Sequence, residues 1–472
     1  MQRLSSQDSV FVSGEASGWP LHMGSLALLD PSGLADGLDV TRVRALLAAR
    51  LPQLSVFRRR LVRVPAGLDR PVWTESSEVD LEEHVRAARV PSPGGPRELA
   101  DLVAELYTPP LDLDRPLWQI WVIEGLEGGR AAMLVKLHHS LVDGIRGREI
   151  QQVMYDLAPD APFARDGDPP SYDDAGPSRW RMLAETAGYL LDAPLRLART
   201  ARHLAGAVTR VGDATVHRQL SGISMPLTAP RTLFNASIST RRTFSYGTVP
   251  LGPVKRMAKA ESATVNEVVL LLLGGALRRY LAEHGDLPDK SLIAAVPIGV
   301  EGQTQTGAAS GNAWEAMIIS LATHLEDPVE RLHAITRSSR AGKNAQSALG
   351  HDLWADLLDL PPVLVGLAAR GYAGLHLARA HPTVVNLIVS NVRGAPVPLH
   401  FAGARLDALY PMGPIADGMG LNVTLLSYRD GLDFGFTTCP DLVPDPWRLV
   451  EALQAETAGL SERYPAASGS EG

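Results

Sequence analysis

A single cysteine in 472 residues, Cys439, has no partner for an intramolecular disulfide and supplies too little thiolate for a cysteine-built zinc site. That usage fits a reducing compartment. Lysine is scarce as well: Lys136, Lys255, Lys259, Lys290 and Lys343 are the whole set, and arginine carries the remaining basic charge. With a net charge of −7 and a pI near 6.0, the chain lacks the basic domain of a nucleic-acid binder, so no nucleic-acid partner is expected. Long hydrophobic runs are missing too. The longest, residues 268–277 and 360–369, fall well short of the roughly 20 apolar residues of a spanning helix. Met1–Asp8 has no apolar stretch of the signal-peptide kind. The expectation is a cytoplasmic protein, soluble or peripherally attached. No G-x-S-x-G elbow offers the usual cue for a serine hydrolase. No His, Asp and Glu set shows convincing ligand spacing, so no metal is expected.

Apolar residues at 45% and charged residues at 21% describe an ordinary globular chain, long enough for two or three domains. Residues 1–160 read as an α/β unit. Val43, Leu46, Leu47 and Leu51 form one stripe of an amphipathic helix over residues 40–51. Residues 118–123 and 130–137 are β-rich runs around a Gly-containing turn, and 148–157 reads as helix. Prolines 159, 162, 169, 170 and 177 then mark a linker, followed by an arginine-rich helical segment from Trp180 to Val211. That segment, within a linker and crossover region of 161–225, suits either a crossover helix packed on the domains or a membrane-surface helix. A second α/β unit fills 226–472. In it Thr264 and Glu267 form a capping box ahead of a broad apolar stripe, 292–300 reads as a buried strand, and 384–390, 421–428 and 432–437 are strand-like. Arg429-Asp430-Gly431 supplies a hairpin signal.

The stretch A-A-M-L-V-K-L-H-H-S-L-V-D-G, Ala131 to Gly144, ends an apolar run in two adjacent histidines. In an extended strand His138 shares a face with Ala132, Leu134 and Lys136, and His139 with Met133, Val135 and Leu137. At most one imidazole serves a given cleft, and the other packs or hydrogen-bonds. A histidine at a strand end is well placed as a general base. Asp143 could orient it or fix the turn, and Gly144 would free the backbone there. The bland alternative is a pair of satisfied core histidines.

H-H-S-L-V-D-G matches the H-H-x-x-x-D-G signature of coenzyme A-dependent acyltransferases. The rest of the chain resembles the bacterial wax ester synthase/acyl-CoA:diacylglycerol acyltransferase family. The carriers of that resemblance are Leu4-Ser5, Asp8, Phe11 and Glu15 with Pro20-Leu21-His22-Met23-Gly24, then Pro116-Leu117-Trp118. Val265-Asn266-Glu267-Val268-Val269-Leu270, Ser390-Asn391-Val392 and the strand Gly420–Tyr428 continue it. The resemblance implies an α/β fold of two chloramphenicol-acetyltransferase-like domains, mixed sheets with flanking helices related by a pseudo-twofold, around an interdomain substrate tunnel. It further implies that His139 deprotonates an acceptor hydroxyl, which attacks an acyl-CoA thioester without cofactor or metal. Diacylglycerol or a fatty alcohol would be the acceptor, at a membrane or lipid-droplet surface. His138 would be structural and Asp143 would shape the site. Asn266, Ser390 and Asn391 could meet the developing oxyanion or merely satisfy a cap and a turn, and Trp118 would line the tunnel or pack. The chain departs from the family at Glu267, Glu301 and Arg393. Glu301 removes an arginine that could pair with Asp143, leaving Arg146 and Arg148 as sequence neighbours. A carrier-protein-dependent condensation-type enzyme and a catalytically silent lipid-binding homologue are the alternatives.

Overall fold

A computed structural model describes residues 2–76, 78–141, 144–164, 178–196, 198–202, 206, 227–299, 314–349 and 360–465. Two six-stranded mixed sheets organise them. The first runs, edge to edge, His400–Phe401, Ala404–Met412, His22–Asp30, Ala131–His138, Trp118–Glu124 and Val85–Arg89. The second runs Trp314–Ser320, Ile293–Gly299, Leu387–Arg393, Leu421–Tyr428, Gly431–Thr438 and Thr243–Pro250. Gln2–Arg3, Val72–Glu75 and Arg59–Val62 make a small third sheet.

Ala131–His138 lies between two antiparallel neighbours and is buried along its whole length, which suits a run apolar on both faces. The alternation read from the sequence sorts its side chains. Ala132 and Leu134 pack with Leu99, Val103 and Tyr107 of the helix Pro96–Tyr107. Met133, Val135 and Leu137 pack with Val43, Leu46 and Leu47 of the helix Val40–Arg50, which Asp39 caps. In the second sheet the capping box forms as expected. Thr264 Oγ1 accepts from the Glu267 N–H at 3.2 Å, and Glu267 Oε2 accepts from the Thr264 N–H at 2.8 Å. The helix Val265–Glu283 that follows is the centre of that half's core.

The sheets do not respect the expected division at residue 226. Ala404–Met412, from the far end of the chain, pairs antiparallel with His22–Asp30, Met412 opposite Gly24. This strand buries Leu406, Ala408, Leu409, Tyr410 and Met412, so it needs a sheet on one side and a core on both faces. By joining the first sheet it covers the edge of His22–Asp30, which would otherwise expose a row of unpaired backbone groups. Asp433 ties it to the second sheet, accepting from the Leu409 N–H at 2.9 Å and from the Thr248 hydroxyl at 2.6 Å. The crossing is close. A Cβ on Gly435 would collide with the Pro411 carbonyl oxygen, so only glycine fits where the sheets meet.

No single described helix is long and apolar enough to cross a membrane; the bent pair Leu251–Ala260 and Val265–Glu283 qualifies by length and composition, but its second helix is core. Of the arginine-rich segment, the structure describes the helix Arg179–Leu191 and helical backbone at 193–196 and 198–202; residues 203–205 and 207–226 lie outside the described residues.

Candidate functional site

His138 closes its strand and His139 opens the one-turn 3₁₀ helix His139–Leu141. Both are tethered through the backbone. The His138 N–H donates to the Leu117 carbonyl at 2.9 Å, and the His139 N–H donates to the Leu21 carbonyl at 3.3 Å. The P-L-W and P-L-H-M-G stretches therefore meet at the histidine turn, about 100 residues apart in sequence, by ordinary sheet pairing. Gly24 belongs to the same construction. A Cβ there would sit 2.9 Å from the Val135 carbonyl and 3.0 Å from the Tyr107 ring.

The two imidazoles have different surroundings. His138 is fully buried, and its Nδ1 accepts from the Ser140 N–H at 3.2 Å with the Ser140 hydroxyl at 2.7 Å. A backbone amide can only donate, so the ring proton sits on Nε2, which faces Glu15 Oε1 at 3.6 Å. Burial, with His139 beside it, pushes His138 down to about 3. His139 is half-buried and stacks on Phe11, ring centroids 4.0 Å apart and 15° from coplanar. Burial pushes it down to about 4, while its own backbone carbonyl favours the protonated ring. Both are neutral at pH 7.

Ionisable groups are buried beside the pair. Lys136, on the His138 face, points its ammonium at the carbonyls of Leu106, in the last turn of the helix Pro96–Tyr107, and Pro109 just beyond it, where the helix dipole welcomes a cation. Burial pushes it down to about 7, against the pull of Glu15. Burial raises Glu15, while the Leu21 N–H, donating to Oε1 at 2.9 Å, and Lys136 hold it down. His22 sits directly across from His138 and donates through Nε2 to the Tyr107 carbonyl at 2.6 Å; burial and Lys136 keep the ring neutral. Since that oxygen can only accept, Nε2 carries the proton.

A second group assembles in the other half. Asn266, in the first turn of Val265–Glu283, accepts through Oδ1 from Asn391 Nδ2 at 2.9 Å, and Asn391 lies on the strand Leu387–Arg393 beside Ser390. Two motifs 125 residues apart thus touch. Trp118 is elsewhere. It is fully buried, stacked between Phe57 (4.6 Å) and His84 (4.4 Å), with its indole N–H donating to the Phe57 carbonyl at 2.7 Å. A cavity of about 220 Å³ beside Trp118 and one of about 180 Å³ beside Tyr372 and Asp417 leave His139 out of their walls. Asp143 and Glu301 lie outside the described residues, and of Gly144, Arg146 and Arg148 only the helical backbone of Gly144–Met154 is described. Among the described residues no three His, Cys, Asp or Glu side chains cluster as metal ligands.

Sequence reasoning assigned no role to Glu15, Phe11, Ser140 or Lys136. The signal for Lys136 was in plain view, as a lysine inside an otherwise apolar strand. Glu15 and Phe11 were visible only as parts of a family opening.

Comparison with known proteins places this geometry. Residues 4–269 match the model of the wax ester synthase/diacylglycerol acyltransferase catalytic domain, and residues 310–460 match the model of the corresponding C-terminal domain. Two Mycobacterium tuberculosis proteins assigned as diacylglycerol O-acyltransferases are similar to it. One, from strain H37Rv, is 33% identical over 98% of this chain and 90% of its own. The other, from the same strain, is 36% identical over 97% of this chain and 99% of its own. Among solved structures, the wax ester synthase/diacylglycerol acyltransferase from Marinobacter aquaeolei VT8 superposes with a TM-score of 0.67 at 27% identity, covering 98% of this chain and all of that one (100%). The first condensation domain of the CDA synthetase, at 17% identity and a TM-score of 0.55 over 99% of this chain and 97% of its own, shares the fold.

Proposed function

Because the chain belongs to the wax ester synthase/diacylglycerol acyltransferase family, we propose that this acyltransferase moves a long-chain acyl group from acyl-CoA to the hydroxyl of diacylglycerol, or of a long-chain alcohol, with His139 as general base. The observation that carries the assignment to His139 is the unlike setting of the two rings. His138 spends Nδ1 on Ser140 and turns Nε2 toward Glu15. His139 is tied through its backbone N–H to the Leu21 carbonyl, stacks on Phe11 and keeps part of its surface exposed, so of the two neutral imidazoles it is the one an acceptor hydroxyl can approach.

In this reading Nε2 removes the acceptor's hydroxyl proton and the oxygen attacks the thioester carbonyl. The C–S bond of the tetrahedral intermediate then breaks, and the leaving coenzyme A thiolate takes the proton back from the imidazolium. No cofactor beyond the donor is required. Asn266 and Asn391, linked through one N–H, retain further amide N–H groups suited to an oxyanion or a substrate oxygen. The resemblance assigns Asp143 to shaping the site. The acceptor lives in a lipid phase, so the protein works peripherally at a membrane or lipid-droplet surface, with the segment from Trp180 as a contact.

The test is ester formation by purified protein given labelled long-chain acyl-CoA and either acceptor. We expect product from the wild type and a loss of about 10³-fold or more in His139→Ala. With His139 depressed to about 4, the base is already unprotonated at pH 5, so the acid limb of kcat/KM should fall well below the ordinary 6.5 of histidine. Binding of acyl-CoA without ester on any acceptor would sink the assignment.

A further inference from the structure

The helix Pro362–Gly374 is turned the wrong way round for a core helix. It rests on Ser6–Gly14 and the turn Glu15–Ser17, close enough at Gly366 that a Cβ there would lie 3.5 Å from Ala16 Cβ. Tyr372 meets Trp19 edge-on, ring centroids 6.4 Å apart. Four large apolar side chains here point outward: Leu364 is 52% exposed, Leu367 56%, and Leu375 just beyond the helix 73%, with Val363 beside them. The helix Arg179–Leu191 does the same with Trp180, Leu183, Leu190 and Leu191.

One loop seats both helices. Gly67 lies against Val363, Asp69 accepts from the Thr186 hydroxyl at 3.3 Å, and the Arg70 guanidinium lies over the Tyr189 ring. Between them Leu68 is exposed. An apolar surface this rich in leucine is uncommon on a soluble protein and marks an interaction face. Charge selects the partner. In a chain of net charge −7, residues 360–384 hold Arg370 and Arg379 and no carboxylate, and residues 179–202 hold five arginines against Glu185 and Asp192. Glu185 is itself paired with Arg3 and Arg181. Leucine and tryptophan among arginines that outnumber the carboxylates match a leaflet whose interior is apolar and whose headgroups are anionic.

We propose that the outward faces of Pro362–Gly374 and Arg179–Leu191, continuous across Leu68, dock on an anionic lipid leaflet, and that the acceptor lipid reaches the histidine turn from this side. The second half rests on the acyltransferase reading above. It follows from what the helix sits on: Ser6–Gly14 carries Phe11, stacked on His139, and the adjoining turn carries Glu15, which faces His138.

The test is flotation of the full chain with vesicles of phosphatidylcholine and phosphatidylglycerol in equal parts. Replacing Leu364, Leu367 and Leu375 together by Gln should lower the bound fraction roughly tenfold or more. Leu157→Gln, equally exposed at the edge of the first sheet, should not. Arg370→Gln with Arg379→Gln should weaken binding to these vesicles and leave binding to pure phosphatidylcholine unaltered. A triple variant that melts like the wild type and floats like it overturns the proposal, as does an equal loss from Leu157→Gln. If the triple variant does not fold, Leu375→Gln alone should still lower binding about twofold, and no change overturns the proposal equally. In the same proteins, ester formation on vesicle-borne diacylglycerol should fall with the bound fraction while a dispersed short-chain alcohol is acylated at the wild-type rate; equal losses on both would remove the delivery claim. Absence of ester from the wild type on every acceptor counts against the acyltransferase reading and leaves the flotation result standing.

Discussion

Behind the strand Ala131–His138 the first sheet buries Lys136, His22 and His138 in one cluster beside the largely covered Glu15, whereas the second sheet is filled by Val268, Val269 and Leu270–Leu273 from a single helix. The architecture is the same kind in both, six strands with helices against them, and the filling is opposite. In the first, each polar group is buried because another compensates it: Lys136 by two carbonyls and Glu15, His138 by Ser140 and Glu15. In the second, an apolar helix makes the core and its polar contacts lie toward its ends, at the capping box and Asn266 in the first turn and at Arg278 and Arg279 further on. A cluster of compensated groups fixes ring tautomers and positions. An apolar wall fixes only shape. The half with the ionisable groups is the half that carries the histidines, and a general base needs its proton inventory defined before substrate arrives.

The largest expected effects come from breaking each filling in its own way. Lys136→Met leaves the Leu106 and Pro109 carbonyls without a donor and Glu15 without a counter-charge, and should cost about 3–5 kcal/mol in denaturant unfolding. Leu272→Ala removes a comparable share, about 2–5 kcal/mol, by leaving a cavity. Their pH dependence separates them. Lys136 is depressed to about 7 in the fold and titrates near 10.4 when unfolded, so the unfolded chain holds the extra proton and stability rises with pH across that window. Lys136→Met should abolish this rise and Leu272→Ala should keep it. Identical pH curves in the two variants would end the contrast between the sheets.

Next in size is Asn391→Ala. Asn391 is exposed, so losing its bond to Asn266 should change stability by no more than about 0.5 kcal/mol. Turnover should nonetheless fall about 100-fold with little change in KM, as when an oxyanion donor is removed. Unchanged turnover would make the second sheet a wall and nothing more.

What could be read from the sequence was what neighbours in sequence decide. The capping box of Thr264 and Glu267 and the alternation along Ala131–His138 needed no knowledge of the rest of the chain. So did the hairpin after Tyr428, although the turn falls on Arg429 and Asp430, and Gly431 already pairs with Tyr428. The strand Ala404–Met412 was missed because Asp407 and Pro411 interrupt its apolar pattern and a bulge between Leu406 and Ala408 shifts its period. At the site, the residue types that do chemistry stood out, while the groups that set their state did not. Glu15 acts across 123 residues on His138, and Leu117 contributes only a carbonyl, which no side-chain pattern can advertise.

The smallest effect tests the joint that holds the two fillings side by side. Asp433 is buried between Thr248 of the second sheet and the Leu409 N–H of the crossing strand, and burial pushes it up to about 6. Unfolded, it titrates near 3.9. The folded protein therefore takes up this proton first as pH falls, and stability from this group is gained between pH 6 and pH 4 and lost again as pH rises through 6. Asp433→Asn can still accept from Leu409 through its carbonyl oxygen and donate to the Thr248 hydroxyl through its amide. The joint should survive, more stable at pH 7 by about 2 kcal/mol and free of that pH dependence. Thermal melts of both proteins from pH 4 to pH 7 decide the matter: curves that converge toward pH 4 support a strained carboxylate at the crossing, and parallel curves place its charge in comfortable surroundings and return the cost of the crossing to packing at Gly435.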